Sequence, residues 1–250
     1  MSEFRLGTSG YSYRHWSNDV FYPSGLSQKK WLEYYATQFD SVELNVTFYR
    51  LPSKKTFNGW HRATPDFFTF VIKGSRYITH IKRLKDCEDS LNKIAECADA
   101  LEEKLTAVLW QLPPSMRADI DRLNIFCDLL EKHSFFSRIE HAFEFRHESW
   151  FSEAIITLLQ DRTYVLCAAH SGVFPWRDEV TSDYCYYRFH GENSLYGSDY
   201  SDGELEWFAA SIRDHLDAGR DVYAFFNNDT NGFAVNNARK LSAQVIKEAT

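Results

Sequence analysis

Cysteine is scarce in this chain and never stands at motif spacing. The five cysteines, Cys87, Cys97, Cys127, Cys167 and Cys185, are odd in number and none forms a CxxC pair. That argues against a disulfide framework or a structural zinc site. Positive charge is also in deficit, with 28 Lys and Arg against 35 Asp and Glu and a net charge of −7. Nucleic-acid affinity is mostly neutralisation of phosphates by Lys and Arg, so nucleic acid is a disfavoured partner, although a local basic face is compatible with the balance. No apolar run approaches the ~18 residues of a membrane-spanning helix. The N-terminal MSEFRLGTSG has no apolar segment of the signal-peptide kind. The expectation is a cytoplasmic protein with reduced thiols and no membrane contact. The 11 glycines and 6 prolines are scattered, without a flexible linker or a recurring segment, so residues 1–250 read as a single domain. GxGxxG, GxxxxGK[ST], GxSxG and HExxH are all missing.

What the chain does have is a regular switch of hydrophobic period between two and three-and-a-half. FRLGTSG (4–10), SVELNVTFY (41–49), FFTFVIKG (67–74), LTAVLWQLP (105–113), RIEHAFEFRH (138–147), TYVLCAAH (163–170), YCYYRFHG (184–191) and DVYAFFNND (221–229) read as strands. Helical periods occupy 27–39, a weaker stretch at 54–64, then 87–104, 119–133, 152–162, 203–220 and 234–250. The segment SGVFPWRDEVTSD between the sixth and seventh strands carries Pro175 and no helical period, so helix six reads as degenerate. Strict βα alternation predicts a parallel sheet, and eight units predict closure into a single (β/α)8 TIM-type barrel. A doubly wound open sheet is the alternative, but no GxGxxG follows the first strand.

Strand parity then sorts side chains. Val42, Leu44 and Val46 belong on the helix side, which leaves Glu43, Asn45 and Thr47 facing the barrel axis. The same rule sends Lys73, Glu144, Arg146, Tyr186, Arg188 and His190 inward. Gln111, Asn227 and Asn228 fall at strand ends. A barrel interior is normally filled by Val, Ile and Leu, and an unpaired buried charge costs several kcal/mol. Charges gathered near the C-terminal ends of strands therefore suggest a ligand site, since barrel active sites are built at that face. The plainer reading is a buried network in which Glu43 and Glu144 neutralise Lys73, Arg146 and Arg188.

The loops of that face add candidates. Arg76 and His80 lie close to the third strand's end, whereas Lys82, Arg83 and Lys85 read as a solvated basic turn. The long first loop, rich in Tyr and Trp, suits either a lid over the pocket or a self-packed cover. HGENSLYGSDY and NNDTNG precede helices, the position at which loops after strands seven and eight often cradle phosphate.

Read in series, LGTSGYSYRHW with VFYP, SVELNVTFYRLP, FVIKGSRYITHIKRL, LWQLPPS, FEFRHESWF, YYRFHG with Tyr196 and Tyr200, and AFFNND with AVNNA resemble the domain-of-unknown-function 72 (YecE-like) family over essentially the whole chain. The resemblance implies a single TIM-type barrel and no particular reaction. The family's characteristic polar positions fall on Glu43, Asn45, Lys73, His80, Gln111, Glu144, Arg146, Arg188, His190, Asn227 and Asn228, overlapping the set reached by parity.

The functional expectation is an enzyme acting on a small anionic substrate, phosphorylated or carboxylated. Arg146, Arg188 and Lys73 would bind the anion, with Asn45, Arg76, His80, Gln111, Asn227 and Asn228 around it. Glu43 or Glu144 would act as general base and His190 as acid or shuttle. No cofactor is expected. The cationic neighbours make the pocket unfriendly to a divalent metal, although Glu43, Glu144 and His190 could supply ligands from distant strands. A metal-dependent phosphoesterase or endonuclease-like barrel is the first alternative. A non-catalytic small-molecule binding protein is the second.

Overall fold

The alternation in the sequence becomes eight parallel strands: β1 Phe4–Thr8, β2 Ser41–Leu44, β3 Thr69–Lys73, β4 Leu105–Gln111, β5 Glu140–Glu144, β6 Val165–His170, β7 Tyr184–Phe189 and β8 Asp221–Phe226. The computed structural model describes residues 2–192 and 194–246. The strands follow the order β1-β8-β7-β6-β5-β4-β3-β2, each hydrogen-bonded to its neighbours in that order. Between them run α1 Trp31–Tyr35, α2 Val46–Tyr49, α3 Lys54–Arg62, α4 Glu88–Ala98, α5 Ile120–Lys132, α6 Glu153–Asp161, α7 Asp202–Asp217 and α8 Phe233–Ile246. Residues 247–250, assigned to the last helix by periodicity, lie outside the described residues.

β1 and β2 close the barrel without a backbone ladder. The two strands come so close that a Cβ on Gly7 would sit 2.0 Å from the Ser41 carbonyl oxygen, which explains a glycine in mid-strand. Side chains stitch the seam instead. Leu6 N donates to Asp40 Oδ1 at 2.9 Å and Thr8 N to the Tyr35 hydroxyl at 2.8 Å. That hydroxyl in turn donates to Ser41 O at 3.2 Å.

Helix starts follow local chemistry. Ser201 and Glu204 form a reciprocal capping box on α7, and Asp119 accepts from Arg122 N at 3.0 Å on α5. α4 turns Leu91, Ile94, Ala95 and Ala98 onto the sheet, as the periodicity predicts. No helix follows β6: residues 171–183 cross to β7 as a strap. Thr181 Oγ1 accepts from Leu166 N and donates to Tyr164 O, and Asp178 accepts from the Tyr187 and Ser211 hydroxyls.

Two local expectations need correction. The alternation of residues 41–49 predicts one strand, yet β2 stops at Leu44 and α2 begins at Val46. Thr47 Oγ1 donates to both Leu44 O and Lys73 O at 2.7 Å, so the chain turns at the barrel rim and Val46 is exposed rather than packed under helices. The helix predicted over 87–104 ends at Ala98 and continues as a tighter turn through Lys104, with Glu102 at φ 51°.

The barrel interior is a separate apolar layer. Val71, Leu109, Ala142, Cys167, Tyr184, Tyr186, Tyr223 and Phe225 fill its lower and middle parts. These residues are two apart along their strands, on the same parity as the charged residues above them.

Candidate functional site

Continuing up the axis from Tyr186, the inward positions become ionic. Glu43, Glu144, Arg188 and His190 have no exposed surface. The Arg188 guanidinium is the hub. Its Nη2 donates to Glu43 Oε1 at 2.6 Å and its Nε to Glu43 Oε2 at 2.9 Å, a two-pronged pairing. Its Nη1 donates to Glu144 Oε2 and faces His190 Nε2 at 3.3 Å. The Tyr186 hydroxyl adds a bond to Glu43 Oε2 at 2.7 Å, and Ser9 Oγ lies 3.4 Å from Nη2. Buried charge is tolerated when its partners fill nearly every donor and lone pair, and here they do.

Arg146 forms the next tier. Its Nε donates to Glu144 Oε1 at 2.6 Å, its guanidinium stacks 4.5 Å over the Phe174 ring, and the Tyr196 hydroxyl stands 3.4 Å from it. Asn227 pairs with His190 Nδ1 at 3.1 Å, and Asn45 Nδ2 donates to Ser9 O at 3.0 Å. Asn45 Oδ1 is buried and has no hydrogen-bond partner among the described residues.

Lys73, the last residue of β3, differs from both arginines. Its side chain is 8% exposed, its ammonium lies 4.6 Å from the centroid of the Phe48 ring, and it makes no hydrogen bond or ion pair among the described residues. Burial, then repulsion by Arg188, depress its pKa to about 7, with Glu144 and Glu43 pulling the other way and Arg146 adding to the depression. Burial would raise both carboxyls, but Arg188 holds Glu43 below the usual range, and Arg146 with Arg188 hold Glu144 well below it. Burial and Arg188 lower His190 to about 4, so it is neutral at pH 7. His80 is lowered to about 4 by burial and Lys73, and its Nδ1 lies 2.9 Å from Thr79 Oγ1.

Not every candidate from the sequence joins this group. Gln111 Nε2 donates to Leu112 O, while Asn228 Nδ2 reaches Ser198 O and Asn237 Oδ1, tying α8 to the loop after β7. Arg76 points into solvent at the rim. Conversely, Ser9, Phe48 and Phe174 enter the site from loops and from α2, where strand parity gives no signal. Tyr196 reaches it through a backbone at φ 66°, a conformation that sequence period does not encode. The first loop is a packed cover: Trp16, Phe21 and Tyr22 are buried, and Trp16 Nε1 donates to Asp229 O at 2.9 Å.

A sizeable surface groove lies elsewhere. A groove of about 710 Å³ lies at the opposite end of the barrel, lined by Lys54, Asn58, Glu102, Glu103, Phe135 and Arg138 among others. Beside it, His61, Glu102 and Glu103 are the grouping of donors close enough to share an ion among the described residues, and both carboxylates are exposed.

A parallel eight-stranded barrel with an ionic hub at the C-terminal ends of its strands defines the class: a (β/α)8 protein of TIM type. The family model described as "Protein of unknown function DUF72" matches residues 5–250, and the chain belongs to that family. UPF0759 protein YunF of Bacillus subtilis is 25% identical over 267 residues, covering 94% of this chain and 92% of its own. The crystal structure of a DUF72 family protein from Thermotoga maritima superposes with a TM-score of 0.80 at 29% identity, covering 98% of this chain and all of that one. A DUF72 family protein from Enterococcus faecalis, at 20% identity, matches in fold with a TM-score of 0.81, over 97% of this chain and 95% of its own. No described helix is long and apolar enough to cross a membrane.

Proposed function

We propose that the protein is an enzyme that takes a small phosphorylated or carboxylated metabolite at the C-terminal mouth of the barrel. One observation carries this reading: Lys73 is a buried amine without a hydrogen-bond acceptor among the described residues, placed beside guanidinium groups. Glu43 and Glu144 balance Arg188 and Arg146, so protonation of Lys73 leaves the mouth with a single uncompensated positive charge. An incoming anion supplies the missing partner, with Lys73 and Arg146 as its ligands. Asn45, whose Oδ1 lacks a partner, and Asn227 stand by to orient the rest of the molecule.

The roles follow from protonation states. Carboxylates held below their ordinary range are weak bases, so Glu43 and Glu144 serve to fix Arg188 and the geometry around it. Proton transfer falls to Lys73, the group whose proton affinity lies near the working pH, with neutral His190 and His80 as carriers. The assignment needs no metal. The three groups that a dication would take, Glu43, Glu144 and His190, are already engaged with Arg188.

A metal-dependent phosphoesterase or nuclease has one observation in its favour. The rim carries Arg50, Arg76, Lys82, Arg83 and Lys85 beside the exposed side chains of Tyr49, Tyr77 and Ile81. Elemental analysis of the purified protein for zinc, manganese and iron separates the two. The anion reading expects none at stoichiometric level.

The test of the main reading is a thermal-shift series with inorganic phosphate, phosphorylated metabolites and small carboxylates. A ligand at a hundredfold excess over its Kd stabilises by about 2.7 kcal/mol, a shift of roughly 5–10 °C for a chain of this size. The effect should be larger at pH 6 than at pH 9, because protonation of Lys73 adds a second cation to the permanently charged Arg146, and weaker in Lys73→Met. Silence in the whole series, or an equal shift in Lys73→Met, overturns it. Ligand binding with no chemical change in any compound would make the protein a sensor rather than an enzyme.

A further inference from the structure

Lys73 and Arg146 share the mouth but differ in protonation, and that difference has a use. Arg146 is permanently charged: its Nε donates to Glu144, its guanidinium stacks over Phe174, and its Nη1 and Nη2 stand 3.4 Å from the Tyr196 hydroxyl. The Nη1 and Nη2 edge has the fork geometry that pairs with a carboxylate or phosphate. The Lys73 side chain is fixed at its base, because the carbonyl of Lys73 accepts from Thr47 Oγ1. At its tip it lies against the Phe48 face and has, among the described residues, no acceptor to orient its protons. An ammonium in that place forfeits hydration without gaining hydrogen bonds, whereas a neutral amine fits it. A neutral amine beside an anion-binding guanidinium is the arrangement of a nucleophile.

We infer that Lys73 forms an imine with an aldehyde or ketone that carries a carboxylate or phosphate, the anionic group resting on Arg146. This deepens the reading of the mouth as an anion site and rests on it for the choice of carbonyl compound. The Nζ lone pair attacks the carbonyl carbon, and a C–N bond forms as the C=O π pair moves to oxygen. One proton from nitrogen passes to that oxygen to give the carbinolamine. A second proton transfer lets the hydroxyl leave as water, and the nitrogen lone pair forms the C=N bond. The balance is one carbonyl compound and one amine to one imine and one water, with no oxidant or reductant. His80, half-buried with its ring 5.0 Å from that of Phe48, is placed on the same side to carry protons. Depression of the amine by burial and by Arg188 and Arg146 supports the chemistry, since it leaves a large share of Lys73 unprotonated at neutral pH.

The experiment is reductive trapping. The full chain is incubated at pH 7 with glyoxylate, pyruvate or dihydroxyacetone phosphate and sodium cyanoborohydride, then read by intact mass and peptide mapping. Inorganic phosphate and lactate are scored in parallel by thermal shift. The inference expects one adduct, on Lys73, formed at least about tenfold faster than on Lys82 or Lys85 because more of the amine is free. Lys73→Arg, which keeps a cation at the position and lacks the nucleophile, should lose the adduct and still show a phosphate shift, from a lower melting temperature because its charge cannot be shed. Adducts spread evenly over surface lysines, or trapping unchanged in Lys73→Arg, overturn the imine. A phosphate shift without trapping discards the imine and leaves the anion site standing. Trapping on Lys73 without any phosphate or lactate shift supports the nucleophile and discards the anion site.

Discussion

Arg188 and Lys73 are two buried cations at the same end of one barrel, and they are treated in opposite ways. Arg188 sits deeper, with no exposure, and its guanidinium is met by Glu43, Glu144, His190 and Ser9. Lys73 sits at the rim of the same cluster with an aromatic face and, among the described residues, no acceptor. A protein that only needed to neutralise Glu43 and Glu144 has already done so with two guanidiniums. The difference is one of partners: Arg188 ties the barrel's upper layer together through Glu43 and Glu144, whereas the Lys73 ammonium has no polar partner among the described residues.

That contrast predicts opposite signs. Arg188→Met should be the most damaging change, removing about 3–5 kcal/mol by stranding the buried Glu43 carboxylate and leaving Glu144 to Arg146, read by urea denaturation. Lys73→Met should instead stabilise, by about 2–4 kcal/mol at pH 6, since it removes a buried charge that lacks hydrogen bonds. The pH sense follows from linkage. Lys73 titrates at about 7 in the folded chain against 10.5 unfolded, so between those values the unfolded state binds more protons. Stability should therefore rise with pH from about 7 to 10.5 through this group, and Lys73→Met should flatten that rise. If both variants destabilise alike, the distinction between the two cations fails.

Acid gives a smaller effect. His141 and His190 are both lowered to about 4, each chiefly by burial. The protein should lose stability as pH falls from about 6.5 to 4, by up to roughly 3 kcal/mol per histidine, seen as a falling Tm. His141, which accepts from Trp110 Nε1 at 3.1 Å and faces Phe136 O at 3.0 Å, has no site for a further proton. Smallest should be Tyr186→Phe, which removes one donor from Glu43 at a cost of about 1–2 kcal/mol and leaves the phosphate shift intact.

Much of this is legible in the sequence. Period and parity place Glu43, Lys73, Glu144, Arg146, Arg188 and His190 on the barrel axis, because a strand that must bury Val42 and Leu44 under helices has no other face for Glu43. The missing helix after β6 was legible too, in a segment without period. Parity says which way a side chain points but nothing about its depth or its partners, so the hub around Arg188 and the solitude of Lys73 could not be read from it. The end of β2 was hidden for a related reason. VTFY continues the alternation of SVEL, and only the pull of Leu44 O and Lys73 O on the Thr47 hydroxyl shows why the chain turns there. The seam between β1 and β2 likewise rests on a glycine and a tyrosine hydroxyl distant in sequence from one another.

The most direct test is the titration of Lys73 itself. Lysines carrying ¹³C-methyl labels from reductive methylation give resonances whose shifts report each amine's protonation, and Lys73→Arg assigns the one of interest. The expected result is a single resonance titrating near pH 7, moving to higher pH when inorganic phosphate is added. A Lys73 resonance that titrates near 10.5 and ignores phosphate would contradict the account, because the amine would then be an ordinary solvated lysine and the mouth would be architecture alone.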